Sequence, residues 1–320
     1  MKGVSIINEI KFISRKKTKI TLVIPCYNEE FIIERFYNET KQVLNEINNI
    51  SFEFLFIDDG SKDNTLLELI KLSNIDSQVK YISFSRNFGK EAAILAGLEH
   101  SDADYIILMD ADLEHPPKLI YKFINNMEDY DTIIACRKNR KDGFFSDLFV
   151  KVINLFSKNI HLKKGMVDYR IINRKIIDSV LLLKEKERYS RGIFDWVGFS
   201  RKYVYYKDVK LQNRKSHWNF FSLFHYALSG IFSFSNVLLD SIIVIGFILF
   251  TITGIYTISS LILHHFSSII FLILLLSSIL ETSLGICSLY IKRIYQESKN
   301  RPSYLIQKTN IGDSIWKKER

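Results

Sequence analysis

Short apolar runs alternate with amphipathic stretches along the first two thirds of the chain. The runs ITLVIPCYN (20–28), FEFLFIDDG (52–60), VKYISFSR (79–86), DYIILMDAD (104–112) and DTIIACR (131–137) are rich in Val, Ile, Phe and Tyr and are short and bounded by polar residues, as buried strands are. Between them, Glu29–Ile47, Asn64–Leu72, Glu91–Glu99 and Lys118–Met127 carry apolar residues at helical spacing. Strand and helix in strict alternation predict an α/β domain with a mainly parallel sheet, covered on both faces and joined by right-handed crossovers. Every predicted strand ends polar: Asn28 and Glu29, Asp58 and Asp59, Arg86, Asp110 and Asp112, Arg137. Ligands bind such sheets beyond the carboxyl ends of the strands, so these charges are expected to converge on one crevice.

The pattern then changes. VLLDSIIVIGFILFTITGIYTISSLIL (237–263) and IIFLILLLSSILETSLGICSLYI (269–291) are each long and apolar enough to cross a bilayer, which takes about 20 residues. Arg214 and Lys215 precede the pair and KRIYQESKNRP follows it, while the connecting HHFSS carries neither Lys nor Arg. Such an asymmetry places both ends in the cytoplasm. The aromatic-rich SHWNFFSLFHYALSGIFSFS (216–235) is too polar to span and predicts an amphipathic helix lying in the interface. The expected organisation is a basic N-terminal segment (1–19), a catalytic domain (20–212), a juxtamembrane segment (213–235), two membrane helices (236–264 and 268–291) and a basic cytoplasmic tail (292–320). Glu281 stands inside the second helix, where an ionisable group is costly and points to a role.

Composition narrows the reading. With 320 residues, 47% hydrophobic and 25% charged, the chain can bury a full core and is not a disordered one. The net charge of +9 suits an anionic membrane or phosphorylated substrates as well as nucleic acid. No nucleic-acid recognition module accompanies it, so no nucleic-acid partner is expected. Cys26, Cys136 and Cys287 are far apart and lack metal-ligand spacing, which predicts free thiols in a reducing compartment. No G-x-G-x-x-G follows the first strand and no G-x-x-x-x-G-K-S/T occurs, so dinucleotide and P-loop readings lose their warrant.

The candidate chemistry lies in YIILMDADLEHPP (105–117). Residues two apart on an extended segment point the same way, so Asp110 and Asp112 can address one object. Two carboxylates facing one point resist ionising together unless a cation sits between them. Mg²⁺ or Mn²⁺ with oxygen ligands meets that need, and such ions bind one or two carboxylates plus substrate phosphates. Pro116 and Pro117 suit the first turn of the following helix. Alone, the pair could be a helix cap with incidental acids; the second acidic strand end, IDDGSKDNT, favours a metal-diphosphate site. There Asp58 and Asp59 are placed to accept hydrogen bonds from ribose or a base. His115 is expected near solvent at a helix start.

VIPCYNEE, FIDDGSKDNT, FSRNFGKEAAILAGLEHSDADYIILMDADLEHPP and RYSRGIFDWVGF together resemble the family 2 glycosyltransferases of GT-A fold. They are most similar to the branch that loads sugars onto polyprenyl phosphate. The resemblance covers nearly the whole chain and implies a GT-A (Rossmann-like) catalytic domain followed by an interfacial helix and two transmembrane helices. It implies that Pro25, Tyr27, Glu29, Asp58, Asp59, Lys90, Asp110 and Ala111 line the nucleotide-sugar site, and that Asp110 with Asp112 holds the metal, Asp112 being catalytic. Asp168, in VDYRIINR, stands at the position proposed as a base and is either a base or an orienting group for an arginine. Arg191 is a catalytic candidate, and Arg137, Arg170 and Arg214 are candidates for the acceptor phosphate, since guanidinium forks match phosphate oxygens. The segment NRKSHW departs from the usual Gly-x-Ser-Lys form before the membrane.

The activity implied is inverting transfer of one sugar, from UDP-glucose or UDP-N-acetylglucosamine, to undecaprenyl phosphate at the cytoplasmic membrane face. A homo-tetramer, a downstream flippase and an extracytoplasmic glycosyltransferase are the implied partners. Two other classes compete. A processive polysaccharide synthase calls for a Q-x-x-R-W motif and a larger channel, and RYSRGIFDW with two helices supplies neither. A non-catalytic scaffold with a degenerate transferase domain sits badly with the intact Asp59, Asp110 and Asp112.

Overall fold

The computed structural model describes residues 18–138, 163, 165–186, 188–206 and 268–312, with five single helical positions between 248 and 259. The chain runs β1 (Thr18–Cys26), α1 (Ile33–Asn45), β2 (Ile50–Asp58), α2 (Thr65–Ile75), β3 (Val79–Phe84), α3 (Lys90–Glu99), β4 (Tyr105–Leu108), α4 (Leu119–Ile124) and β5 (Thr132–Arg137). There follow β6 (Met166–Asn173), α5 (Arg174–Leu181), α6 (Ser190–Trp196), β7 (Arg201–Tyr206), α7 (Ser268–Ser298) and β8 (Ile306–Thr309).

One sheet holds the eight strands of the described residues, in the order β7-β5-β6-β4-β1-β2-β3-β8. The pairs β1/β2, β1/β4, β2/β3 and β5/β7 are parallel, while β6 runs antiparallel to β4 and β5, and β8 antiparallel to β3. The five expected strands are β1 to β5, and the expected helices between them are α1 to α4. The strands β6, β7 and β8 were not anticipated.

Side chains alternate between two cores, as the period of a strand requires. Ile20, Leu22 and Ile24 of β1 and Phe54 and Phe56 of β2 pack on one face with Phe36, Phe123 and Tyr169. Val23, Leu55 and Ile57 pack on the other with Ala93, Leu98, Ile177 and Tyr304. Each fully buried Phe, Ile or Leu contributes about 2 kcal/mol by leaving water. The helix α3 can lie close on β1 because position 97 is glycine; a Cβ there would overlap the Val23 side chain.

Two expected boundaries shift. The chain is already in β1 at Thr18, so the N-terminal segment is shorter than expected. The stretch expected to be a separate basic tail returns to the catalytic domain as β8, with Tyr304 stacked on Phe84 at 4.8 Å between ring centres. The juxtamembrane segment and, apart from single positions, the first expected membrane helix lie outside the described residues. The helix α7 spans 31 residues over the second, but several of its side chains, Glu281 among them, lie outside the described residues. Among the described residues alone, no helix is long and apolar enough to cross a membrane. Cys26 and Cys136 are buried, Cys287 is exposed, and all three are free thiols.

Candidate active site

The antiparallel strand β6 assembles the site. Its register sets Leu108 of β4 opposite Arg170, so the residues two further on, Asp110 and Asp168, are brought side by side. Lys90, the first residue of α3, places its ammonium between them, 2.6 and 2.8 Å from the two oxygens of Asp110 and 3.1 Å from Asp168. Arg191 of α6 closes the group with a two-pronged contact, its Nε donating to one Asp168 oxygen at 2.7 Å and an Nη to the other at 3.2 Å. Glu91 fixes this helix in place by accepting from the main-chain N–H of Ser190 at 2.9 Å and from its hydroxyl.

Charges in this cluster control one another. Burial works against the Lys90 ammonium, but Asp110 and Asp168 outweigh it and hold Lys90 above the ordinary lysine range. Burial likewise works against the Asp168 carboxylate, yet Arg191, Lys90 and Arg170 together hold it well below the usual carboxylate range. A carboxylate so stabilised in its charged form, with both oxygens engaged, is a poor proton acceptor near neutral pH. Of the two roles open to Asp168, the geometry fits an orienting group, and the arginine it orients is Arg191.

Arg170 is not available for an acceptor phosphate here. It is 1% exposed, its guanidinium donates to the main-chain carbonyls of Val167 and Asp168 at 3.3 Å, and it lies over the Phe194 ring. Burial pushes its value down to about 10. Arg137 is also turned inward: it donates to Glu114 at 2.7 Å and to the Tyr206 hydroxyl at 3.2 Å. Arg214 lies outside the described residues.

The two acids of the D-x-D are presented by a turn and not, as expected, by the strand, because β4 ends at Leu108. Asp112 accepts from the Glu114 N–H at 3.0 Å, and Leu113 takes a left-handed φ of 58°, a conformation that bulky residues adopt only under constraint. His115, expected near solvent, is 3% exposed and stacked on Tyr169, and its Nδ1 lies 2.7 Å from the Tyr206 hydroxyl. Arg137 donates to the same hydroxyl, and His115 Nε2 lies 3.9 Å from an Asp110 oxygen. Burial lowers His115 to about 4, so the ring is neutral at physiological pH. Sequence reasoning placed His115 near solvent and did not single out Glu91, although both lie within the quoted motifs, and Tyr206 carries no motif.

Asp58 and Asp59 are both buried and bonded within the chain. Asp58 is 1% exposed and accepts from the Ser61 N–H at 3.0 Å and the Ser83 hydroxyl at 2.7 Å. Asp59 is 4% exposed and accepts from the N–H groups of Phe88 and Gly89 at 2.6 and 2.9 Å, tying down the loop that leads to Lys90. Burial raises Asp59 in spite of those bonds. In this structure both carboxylates hold loops together. Beside them, the loop after β1 and the loop after β2 are laced together: Asn28 Oδ1 accepts from Lys62 N–H and Glu30 from Asn64 N–H, both at 2.9 Å. Tyr27 is 39% exposed on this rim, Pro25 and Glu29 are half-buried, and Ala111 is buried.

The donor set suits a hard divalent cation only in part. Among the described residues, no group of three or more His, Cys, Asp or Glu side chains is arranged to hold a metal. Asp110 and Asp112 offer carboxylate oxygens on a partly exposed turn, a set that fits Mg²⁺ or Mn²⁺ completed by substrate phosphates rather than a self-sufficient protein cage.

Lys90, Asp110, Asp168 and Arg191 thus form one charged cluster beside the turn that carries the D-x-D. The description "Glycosyl transferase family 2" matches residues 21–185, a stretch that includes Lys90, Asp110, Asp112 and Asp168. The chain belongs to this family and is a glycosyltransferase. It is 39% identical over 309 residues to a Bacillus subtilis (strain 168) protein named as a glycosyltransferase, CsbB, covering 92% of this chain and 93% of that one. It is 34% identical over 309 residues to the bactoprenol glucosyl transferase of Shigella phage SfII, covering 92% of this chain and 99% of that one. Among solved structures, glucosyl-3-phosphoglycerate synthase from Mycobacterium tuberculosis with UDP matches with a TM-score of 0.49 at 15% identity, over 67% of this chain and 79% of that one.

Proposed function

We propose that this glycosyltransferase moves a single sugar from a nucleoside-diphosphate sugar, UDP-glucose or UDP-N-acetylglucosamine, to undecaprenyl phosphate. The observation that carries the reading is the cluster of Lys90, Asp110, Asp168 and Arg191, which gathers cations and acids where a diphosphate and a second phosphate would have to meet. Names of relatives such as the phage bactoprenol glucosyl transferase support a polyprenyl acceptor.

In the proposed reaction an oxygen of the lipid phosphate attacks the anomeric carbon, and the bond from that carbon to the nucleoside diphosphate breaks, with inversion. A phosphate monoester is anionic near neutral pH, its second ionisation falling at about 6, so no side chain need remove a proton. The depressed Asp168 suits such a reaction: it holds Arg191 for the acceptor phosphate and takes no proton. A divalent ion on Asp110 and Asp112 would offset the charge that grows on the departing diphosphate. Lys90 adds a second positive charge on the same side. Tyr27, exposed on the laced rim, offers a ring face to the base, with Pro25 and Glu29 beside it. Arg214 belongs to this reading from sequence alone.

The proposal places the catalytic domain and both termini in the cytoplasm. The segments 236–264 and 268–291 cross the bilayer, 213–235 lies along it, and the charged lipid passes to a flippase and an extracytoplasmic glycosyltransferase. A tetramer is consistent with the resembling branch. The experiment is transfer of labelled sugar into organic-extractable lipid by membranes containing this chain, with undecaprenyl phosphate, a panel of nucleotide sugars, and Mg²⁺ or EDTA. A chelator-sensitive, acid-labile lipid product from one donor supports the reading and identifies the sugar. Folded protein that yields no lipid product with any donor refutes it.

A further inference from the structure

We infer that Lys90 is the resident counter-ion of Asp110, and that it gives up this place when the divalent cation and the donor diphosphate bind. The inference rests on the metal-diphosphate reading of the D-x-D turn and adds to it an order of events.

Asp110 needs a cationic partner, and in this structure that partner is Lys90. Lys90 contacts both oxygens of Asp110, at 2.6 and 2.8 Å. A divalent ion needs those same oxygens at about 2.1 Å, and an ammonium in front of them both blocks the approach and repels the ion. The two cations therefore exclude each other at Asp110.

The surroundings allow the exchange. Asp168, the other partner of Lys90, has a second cation of its own, since Arg191 contacts both its oxygens at 2.7 and 3.2 Å. Withdrawal of Lys90 thus leaves Asp168 still paired, and only Asp110 requires a replacement. The Lys90 side chain is 43% exposed, on the first turn of α3, and its four-carbon stem lets the ammonium swing while the backbone stays. The incoming diphosphate supplies the anionic oxygens toward which it can swing. The cluster accordingly disfavours a metal without a nucleotide and accepts the two together.

The test is Mn²⁺ binding, by electron paramagnetic resonance or calorimetry, to the purified full-length chain in detergent, with and without UDP. Lys90→Met is expected to bind Mn²⁺ alone at least about tenfold more tightly than wild type, and UDP in the presence of Mn²⁺ at least about tenfold more weakly. Lys90→Arg, which keeps the charge, is expected to keep the wild-type affinity for Mn²⁺ alone, and Asp112→Asn to lose Mn²⁺ binding. If Lys90→Met binds Mn²⁺ no more tightly than wild type while Asp112→Asn loses it, the exchange is overturned and the metal site stands. Equal tightening in Lys90→Met and Lys90→Arg also overturns the exchange. No Mn²⁺ binding by wild type or Lys90→Met, with or without UDP, overturns both the exchange and the metal reading.

Discussion

Asp58 and Asp59 at the end of β2, and Asp110 and Asp168 beside β4 and β6, are all acids near the ends of sheet strands, yet they are held in opposite ways. The first two are 1% and 4% exposed and bonded to main-chain N–H groups and a serine. The second two are partly exposed and bonded to the side chains of Lys90 and Arg191. A main-chain donor is held by the fold, so Asp58 and Asp59 tie their loops down. A side-chain cation can leave, so an acid bonded to one can trade partners. The difference separates acids that hold loops from acids that can exchange partners.

The sharpest way to break that comparison is Asp112→Asn. Turnover is expected to fall about a hundredfold or more, with a melting temperature within about 2 °C of wild type. Activity retained in full removes the D-x-D from the chemistry, and a parallel loss of stability moves Asp112 into the scaffold. The next largest effect is expected at Asp59→Ala, which orphans two main-chain donors and should cost roughly 2–3 kcal/mol in chemical denaturation. A stable variant that has lost only nucleotide affinity would return Asp59 to the site.

The turn beneath the D-x-D adds a pH test. His115 has a folded value of about 4, below its ordinary 6.5, so the unfolded chain binds the proton more readily. Its contribution is fully present above about 6.5 and is lost as pH falls toward about 4, amounting to roughly 3 kcal/mol. Asp59 and Glu91, raised by burial, push the other way at low pH, so the quantity to measure is the difference between wild type and His115→Gln. A difference that does not change between pH 7 and 4 removes His115 from the buried support of the turn. The smallest effect is expected where an acid is paired but exposed: Glu39→Ala, which breaks the pair with Arg35, should change stability by no more than about 0.5 kcal/mol.

The sequence was most legible where one residue's neighbours along the chain decide its structure. Short runs of Ile, Val and Phe located β1 to β5, and several of the same runs ended at the acids of the candidate site. It was least legible where a partner arrives from far away. The strand β6 was not recognised although VDYRIINR was singled out, because its alternate residues face two cores and include the buried Arg170. Likewise nothing near Asp58 and Asp59 reveals that Ser83, Phe88 and Gly89 satisfy them. Nothing near His115 reveals Tyr206, 91 residues away. Lys90 was assigned to the nucleotide, whereas its pairing with Asp110 and Asp168 depends on the antiparallel register of β6.

The return of the chain as β8 has a consequence for how the protein is made. Tyr81 of β3 donates its N–H to Asn310, 229 residues further on, and Lys186 donates to Glu297 at the end of α7. On the ribosome, the edge of the sheet must wait for both long apolar segments to be synthesised before its last strand exists. Until then β3 is an open edge, free to pair wrongly with another chain. Completion of the catalytic sheet is thereby timed after the apolar segments, and a truncation near residue 300 would remove a strand that folding needs rather than a dispensable tail.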